Sequence, residues 1–247
     1  MAKGSELTVD AFIDAIAWLA DGDNWTGSAG IPTRFVQHVG LTAVSVTFAC
    51  LVALPIGLWL GHVGKGGTLA VNISNVGRAV PTFAVLVLLS LTPLRFSIWT
   101  TVIALVLFAI PPILTNTYVG MREVDRDAVG VAHGMGMDGW QVLRKVELPL
   151  AVPLIMTGVR LATVQVVATA TLAAFVAGPG LGRIITSGFG RQDVAQIVAG
   201  AILVAILALL VEGVLEWTQR RVDPVHRARR RARVRSVVSS RQRVQQQ

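Results

Sequence analysis

The chain has 247 residues, of which 53% are hydrophobic and only 15% charged. In a soluble domain about a quarter of the residues are charged, so this composition excludes an ordinary soluble fold and allows one domain of several membrane helices. The net charge of +8 is local: ten of the 22 Lys and Arg residues follow residue 219, and the chain before them holds 12 basic and 13 acidic residues. Basicity confined to a tail gives the body no nucleic-acid character, and a single cysteine, Cys50, excludes a disulfide framework.

The N-terminal stretch Met1–Asp10 lacks the basic-then-apolar order of a signal peptide. Residues 7 to 19 set Leu7, Phe12, Ile13, Ile16, Trp18 and Leu19 among Asp10 and Asp14, an amphipathic pattern too short to span and read as an interfacial helix. Val39 to Gly61 then runs uncharged for about 23 residues, enough to cross a hydrocarbon core of about 30 Å. Gly66 to Leu94 is a second apolar region, interrupted by Arg78 and Pro81. Phe96 to Met121 is a third span, whose final third Pro111-Pro112 should bend or break. Leu150 to about Ala177 and Val194 to Val211 complete five spans, with small residues interspersed as helix interfaces in a bilayer require.

Five spans put the termini on opposite sides. The Arg-rich tail after Trp217 belongs in the cytoplasm by the positive-inside rule, and the acidic stretch before Arg34 belongs outside. Segments 1–34, 35–219 and 220–247 are therefore an extracytoplasmic or interfacial lead, a membrane domain and a cytoplasmic tail. The tail has few large apolar groups and is read as disordered, with anionic lipid as a partner for its charge.

Between the third and fourth spans lies a polar island, Arg122 to Pro149. Counting back from the tail places it in the cytoplasm. Asp125 can cap a helix through Ala128, Val129 and Ala132 that stops at Gly134. Gly134 and Gly136 allow the chain to reverse. Asp138 can cap a second helix, with Gln141 three residues on as the capping-box partner. Trp140, Leu143 and Val146 form an apolar stripe to hold that helix against its neighbours, and Pro149 opens the fourth span. A structured, mixed-charge loop between membrane helices suggests a docking surface for a soluble partner; the bland alternative is an ordered connector without one.

Ionisable groups inside spans are candidates for a pathway or subunit interface, and Arg78 and Arg160 are the two here. Both can equally snorkel or make structural pairs. Asn72, Asn75, Asn116 and Gln165 can line a polar route or bond neighbouring helices. Gly178-Pro179-Gly180-Leu181-Gly182-Arg183 lacks the Lys-Ser/Thr of a phosphate loop and is read as an external turn. His38, His62, His133 and His226 are not spaced as metal ligands, and the chain has no motif for hydrolysis or ATP binding.

The island also resembles the EAA loop of ABC importer permeases, whose pattern is Glu-Ala-Ala, three residues, Gly, nine residues, Ile-x-Leu-Pro. Gly136 matches the motif glycine, Val146-Glu147-Leu148-Pro149 the closing residues and Ala132 the second Ala. Gly130 stands in place of the Glu and Val131 in place of the first Ala. Beyond the loop, Ala53-Leu54-Pro55-Ile56-Gly57, Gly61-His62, Arg78-Ala79-Val80-Pro81-Thr82, the run Ile110 to Tyr118 and the run Gln165 to Thr171 look like actinobacterial osmoprotectant permeases. The resemblance implies an all-α type I permease of five core helices, non-catalytic, in the cell membrane. Its implied partners are two ATPase subunits that use the ATP and magnesium, a second identical or homologous permease and an extracytoplasmic solute-binding protein. Implied solutes are glycine betaine, choline, carnitine or proline-like compounds; rival readings are an amino-acid or methionine importer, or an ATPase-independent transporter or channel. The implied ATPase contact is Ala132, His133, Gly134, Met135, Gly136, Met137 and Asp138, with Trp140 and Leu143 behind them and Pro149 at the entry to the span.

Overall fold

A computed structural model describes residues 2–65, 67, 72, 75–77, 79–94, 97–176 and 178–222. Among these the chain is helical throughout, with no strand. Helix α1 (Ala2–Ala20) is followed by a short 3₁₀ turn, then α2 (Ile31–Val63), α3 (Thr82–Ser90) and α4 (Ile98–Arg122). Two loop helices, α5 (Arg126–Gly134) and α6 (Gly139–Val142), lead into α7 (Leu148–Ala170), and α8 (Gly182–Arg191) and α9 (Val194–Val222) close the chain.

Among the described residues, four helical stretches are long and apolar enough to cross a membrane: Ile31–Val63, Ile98–Arg122, Gly139–Ala170 and Val194–Arg221. They coincide with four of the five expected spans: Ile31–Val63 and Val194–Arg221 overrun theirs, Gly139–Ala170 starts earlier and stops short of Ala177, and Ile98–Arg122 keeps nearly the expected bounds. The second expected span is not one continuous helix. Its helix breaks at Val80-Pro81, where Pro81 takes an extended conformation and becomes the N-cap of α3. At nine residues, α3 rises only about 14 Å and cannot cross alone.

The core forms where α4 lies between α2 and α7, joining Leu41, Ala49 and Ala53 of α2 to Leu105, Ala109 and Ile113 of α4 and Ala162 and Val166 of α7. Small residues bring these helices together. A methyl group on Gly57 would sit 2.8 Å from Thr117 Cβ, and one on Gly158 would sit 2.6 Å from Asn116 Cβ. Side chains larger than hydrogen there would push α2 or α7 off α4, the packing logic of helices in lipid. A second cluster joins Ile31, Val167, Leu181, Ile184, Val204 and Leu207, with Trp18 and Leu19 of α1 against it.

Of the expected bend or break at Pro111-Pro112, the break does not occur: α4 passes both prolines, buried, as one continuous helix. Tight packing on both sides holds the turn together, at the cost of leaving the Leu107 and Phe108 carbonyls without helical donors. At the other terminus, α1 lies along α9 and keeps Phe12, Ile13 and Ile16 exposed on one face. Its last turn is capped by side chains: Asn24 Nδ2 donates to the Trp18 carbonyl at 2.8 Å and Trp25 Nε1 to the Leu19 carbonyl at 2.7 Å.

Candidate functional site

The loop between α4 and α7 begins with an N-cap, the Asp125 carboxylate accepting from the Asp127 N–H at 2.8 Å. Helix α5 ends in a Schellman turn: the Met137 N–H reaches the Ala132 carbonyl at 3.2 Å and the Gly136 N–H reaches the His133 carbonyl at 2.9 Å. This geometry demands a left-handed residue, and Gly136 supplies it with φ +83°. Gly134 stays helical, so the reversal rests on Gly136 and not on both glycines. Asp138 and Gln141 then close a reciprocal capping box on α6, as the sequence indicates.

The side-chain directions differ from the expected ones at two positions. Ala132 is 2% exposed and faces its own protein, so its small size serves packing inside the loop. Trp140 is 67% exposed and does not hold α6 down; Val142, fully buried, does so together with Leu143. What the loop presents to solvent is Val131 and Met135, four residues apart on one face of α5, and Trp140 at the start of α6. His133, Gly134, Gly136 and Asp138 are also exposed and Met137 is half-buried.

Beneath this surface the loop is bolted to the bundle. Val124, Val129, Leu143 and Leu148 pack with Met121 of α4, Leu54 and Leu58 of α2, and Ala151 and Ile155 of α7. Glu147 is 2% exposed, and its Oε2 lies 2.5 Å from His62 Nδ1 at the end of α2. Sequence reasoning missed this pair. Its signal was one charge on an otherwise apolar helix face, and the partner stands 85 residues away.

α6 does not stop before α7. Residues Leu143–Glu147 form one π turn in which the Leu148 N–H bonds the Leu143 carbonyl, five residues back. Gly139–Ala170 is therefore one helix of 32 residues. Pro149 lies inside it and not at its start; having no N–H, it cannot bond the Lys145 carbonyl, and the widened turn just before it absorbs that loss. Trp140 therefore stands on the spanning helix itself, and Val131 and Met135 on α5 join it through the turn at Gly136.

The polar candidates separate by position. Arg78 lies outside the described residues. Arg160 Nη1 stands 3.4 Å from Glu212 Oε1, pairing α7 with α9. Asn116 Nδ2 donates to its own helix at the Pro112 carbonyl, 2.8 Å away. Gln165 is exposed on α7. A residue that sequence reasoning passed over, His38, is fully buried on α2: its Nε2 meets the Val167 carbonyl at 3.0 Å and its Nδ1 accepts from the Leu181 N–H at 3.2 Å. With the Gly180 N–H on Gln37 Oε1 at 3.3 Å, this fastens the Gly178–Arg183 turn to α2 and α7.

The family model described as binding-protein-dependent transport system inner membrane component matches residues 53–224. The chain is 35% identical over 188 residues to the glycine betaine/carnitine/choline transport system permease protein OpuCB of Bacillus subtilis, covering 76% of this chain and 86% of that one. It is 35% identical over 219 residues to the carnitine transport permease protein OpuCD of Listeria monocytogenes, covering 88% and 97%. The osmoprotectant import permease protein OsmY of Salmonella typhimurium is 35% identical over 190 residues, covering 76% and 80%. A chain of the inward-facing MetNI methionine ABC transporter shares the fold, with a TM-score of 0.66 at 21% identity over 78% of this chain and 95% of that one.

Proposed function

The chain belongs to the family of binding-protein-dependent transport inner-membrane components, the permeases of ABC importers, and on that premise we propose that it imports quaternary-ammonium and betaine-like compatible solutes. The names of relatives at 35% identity support this solute class, whereas the likeness to the methionine transporter is one of fold alone. In this reading two permease chains, identical or homologous, form the pathway. Two ATPase chains bind and hydrolyse ATP with magnesium on the cytoplasmic side, and a binding protein delivers solute from outside. The N-terminus lies outside, the tail after residue 219 inside and the 122–149 loop against an ATPase.

The observation that carries the coupling role is the union of an exposed apolar surface, Val131, Met135 and Trp140, with a helix that continues unbroken through a span. Closure of the ATPases would displace that surface, and the attached helix would tilt with it, switching access from one side to the other. The test is reconstitution of the permease with its ATPase and binding protein in proteoliposomes. ATP-dependent accumulation of labelled choline, carnitine or glycine betaine is expected, with the ATPase retained on the permease by pull-down. Accumulation without ATPase, or of none of these solutes, overturns the reading.

A further inference from the structure

Three phenylalanines from three separate elements meet near the end of the long helix that lies away from the loop. Phe175, in the 3₁₀ turn Thr171–Val176 that follows α7, is edge-on to Phe83 of α3 with centroids 6.1 Å apart. It also lies 6.4 Å from Phe189 of α8, in a tilted arrangement. All three stay open, at 43%, 55% and 57% exposure. Only 6% of the chain is aromatic, which makes the meeting of three rings from distant parts of the sequence a local enrichment. Thr82, next to Phe83, lines a cleft of about 460 Å³ between the broken second segment and α4. Leu107 and Phe108 of α4 line the same cleft, whose walls are almost wholly apolar.

We propose that Phe83, Phe175 and Phe189 form a cation–π station on the permease itself that receives the quaternary ammonium head of the solute beside this cleft; the proposal rests on the solute class proposed above. A quaternary ammonium has no N–H to donate, so hydrogen-bonding groups cannot select it. Ring faces carry negative potential and attract it without requiring direction. The cations of α8 do not oppose it. Arg191 is two residues from Phe189, about 200° around the helix. It lines a different hollow, with Arg34, Arg183 and Asp23. Solute recognition is then divided: the binding protein chooses the molecule, and this station holds its charged head during transfer.

The test separates ring electronics from ring packing. Fluorinated phenylalanines placed at position 175 by nonsense suppression keep the ring's shape while progressively removing its negative face. With the full transporter in proteoliposomes and choline as the probe, uptake should fall stepwise along the mono-, di- and trifluoro series, by about tenfold in all. ATP-dependent assembly and pull-down of the ATPase should stay unchanged. Phe175→Trp should retain uptake and Phe175→Leu should lose it. A flat fluorination series with uptake lost only in Phe175→Leu overturns the station and assigns the rings to packing against the second permease. A wild-type transporter that accumulates no quaternary-ammonium solute fails at the solute class, before the rings enter.

Discussion

Gly136 and Glu147 show how single residues set the loop. At Gly136 an added Cβ meets nothing within 4 Å, so within this chain a substitution acts first through the backbone. Holding a non-glycine residue in the left-handed region costs about 1–2 kcal/mol, less for Asn, which visits it readily. Gly136→Phe should therefore insert normally yet lose most ATPase association and solute-stimulated hydrolysis, while Gly136→Asn keeps most of both; equal behaviour of the two in a pull-down would refute this. For Glu147 and His62, removing the histidine leaves the buried carboxylate unsatisfied, which costs about 1–3 kcal/mol, whereas removing the carboxylate leaves a half-buried imidazole that water can reach. Glu147→Ala and His62→Ala should each lower thermal stability in detergent, and the double variant should be less destabilised than the sum. Additivity of the two losses would mean that the pair is not coupled. The Schellman glycine was legible because its spacing from Leu-Pro is local. The His62 contact was not, since no local pattern joins residues so far apart.

The long helix explains why the burial of the loop was misread. Taken as a helix of ordinary period, residues 139 to 147 put Trp140, Leu143 and Val146 on one stripe. The buried series in the structure is Val142, Glu147, Ala151, Ile155, Gly158 and Ala162. The step of five between Val142 and Glu147 is the π turn, which shifts the buried face by one residue and leaves Trp140 outside. The caps of α5 and α6 were readable because Asp125 and Asp138 act within three residues of themselves, and four spans were readable from apolar length. The break at Val80-Pro81 and the survival of α4 through two prolines depend on neighbouring helices. Between α7 and α9 the ion pair makes its own prediction: Arg160→Leu and Glu212→Leu should each reduce recovery of assembled permease, and combining them should restore part of it. Arg160→Lys should stay close to wild type. Normal recovery in both single variants, measured by size-exclusion in detergent, would mean that the pair holds nothing together.

For the whole molecule, the segment after Asp223 carries eight arginines and few large apolar groups, so truncation after Asp223 should leave ATP-driven uptake near wild type. Abolished uptake with normal insertion would give the tail a transport role. The one-piece helix has a further consequence, thermodynamic in kind. At about 1.5 Å per residue it is some 48 Å long, so it runs from the 122–149 loop to the far end as one continuous helix. If nucleotide binding changes the affinity for the binding protein through this rod, docking of the binding protein must change nucleotide affinity by the same factor, because the two effects are one coupling free energy. Inserting Gly-Gly after Val142 adds slack at one point, and both factors should shrink together. Titration of nucleotide with and without binding protein, and of binding protein with and without nucleotide, measures the two factors separately. A loss confined to one direction would mean that the signal crosses the membrane by some other route.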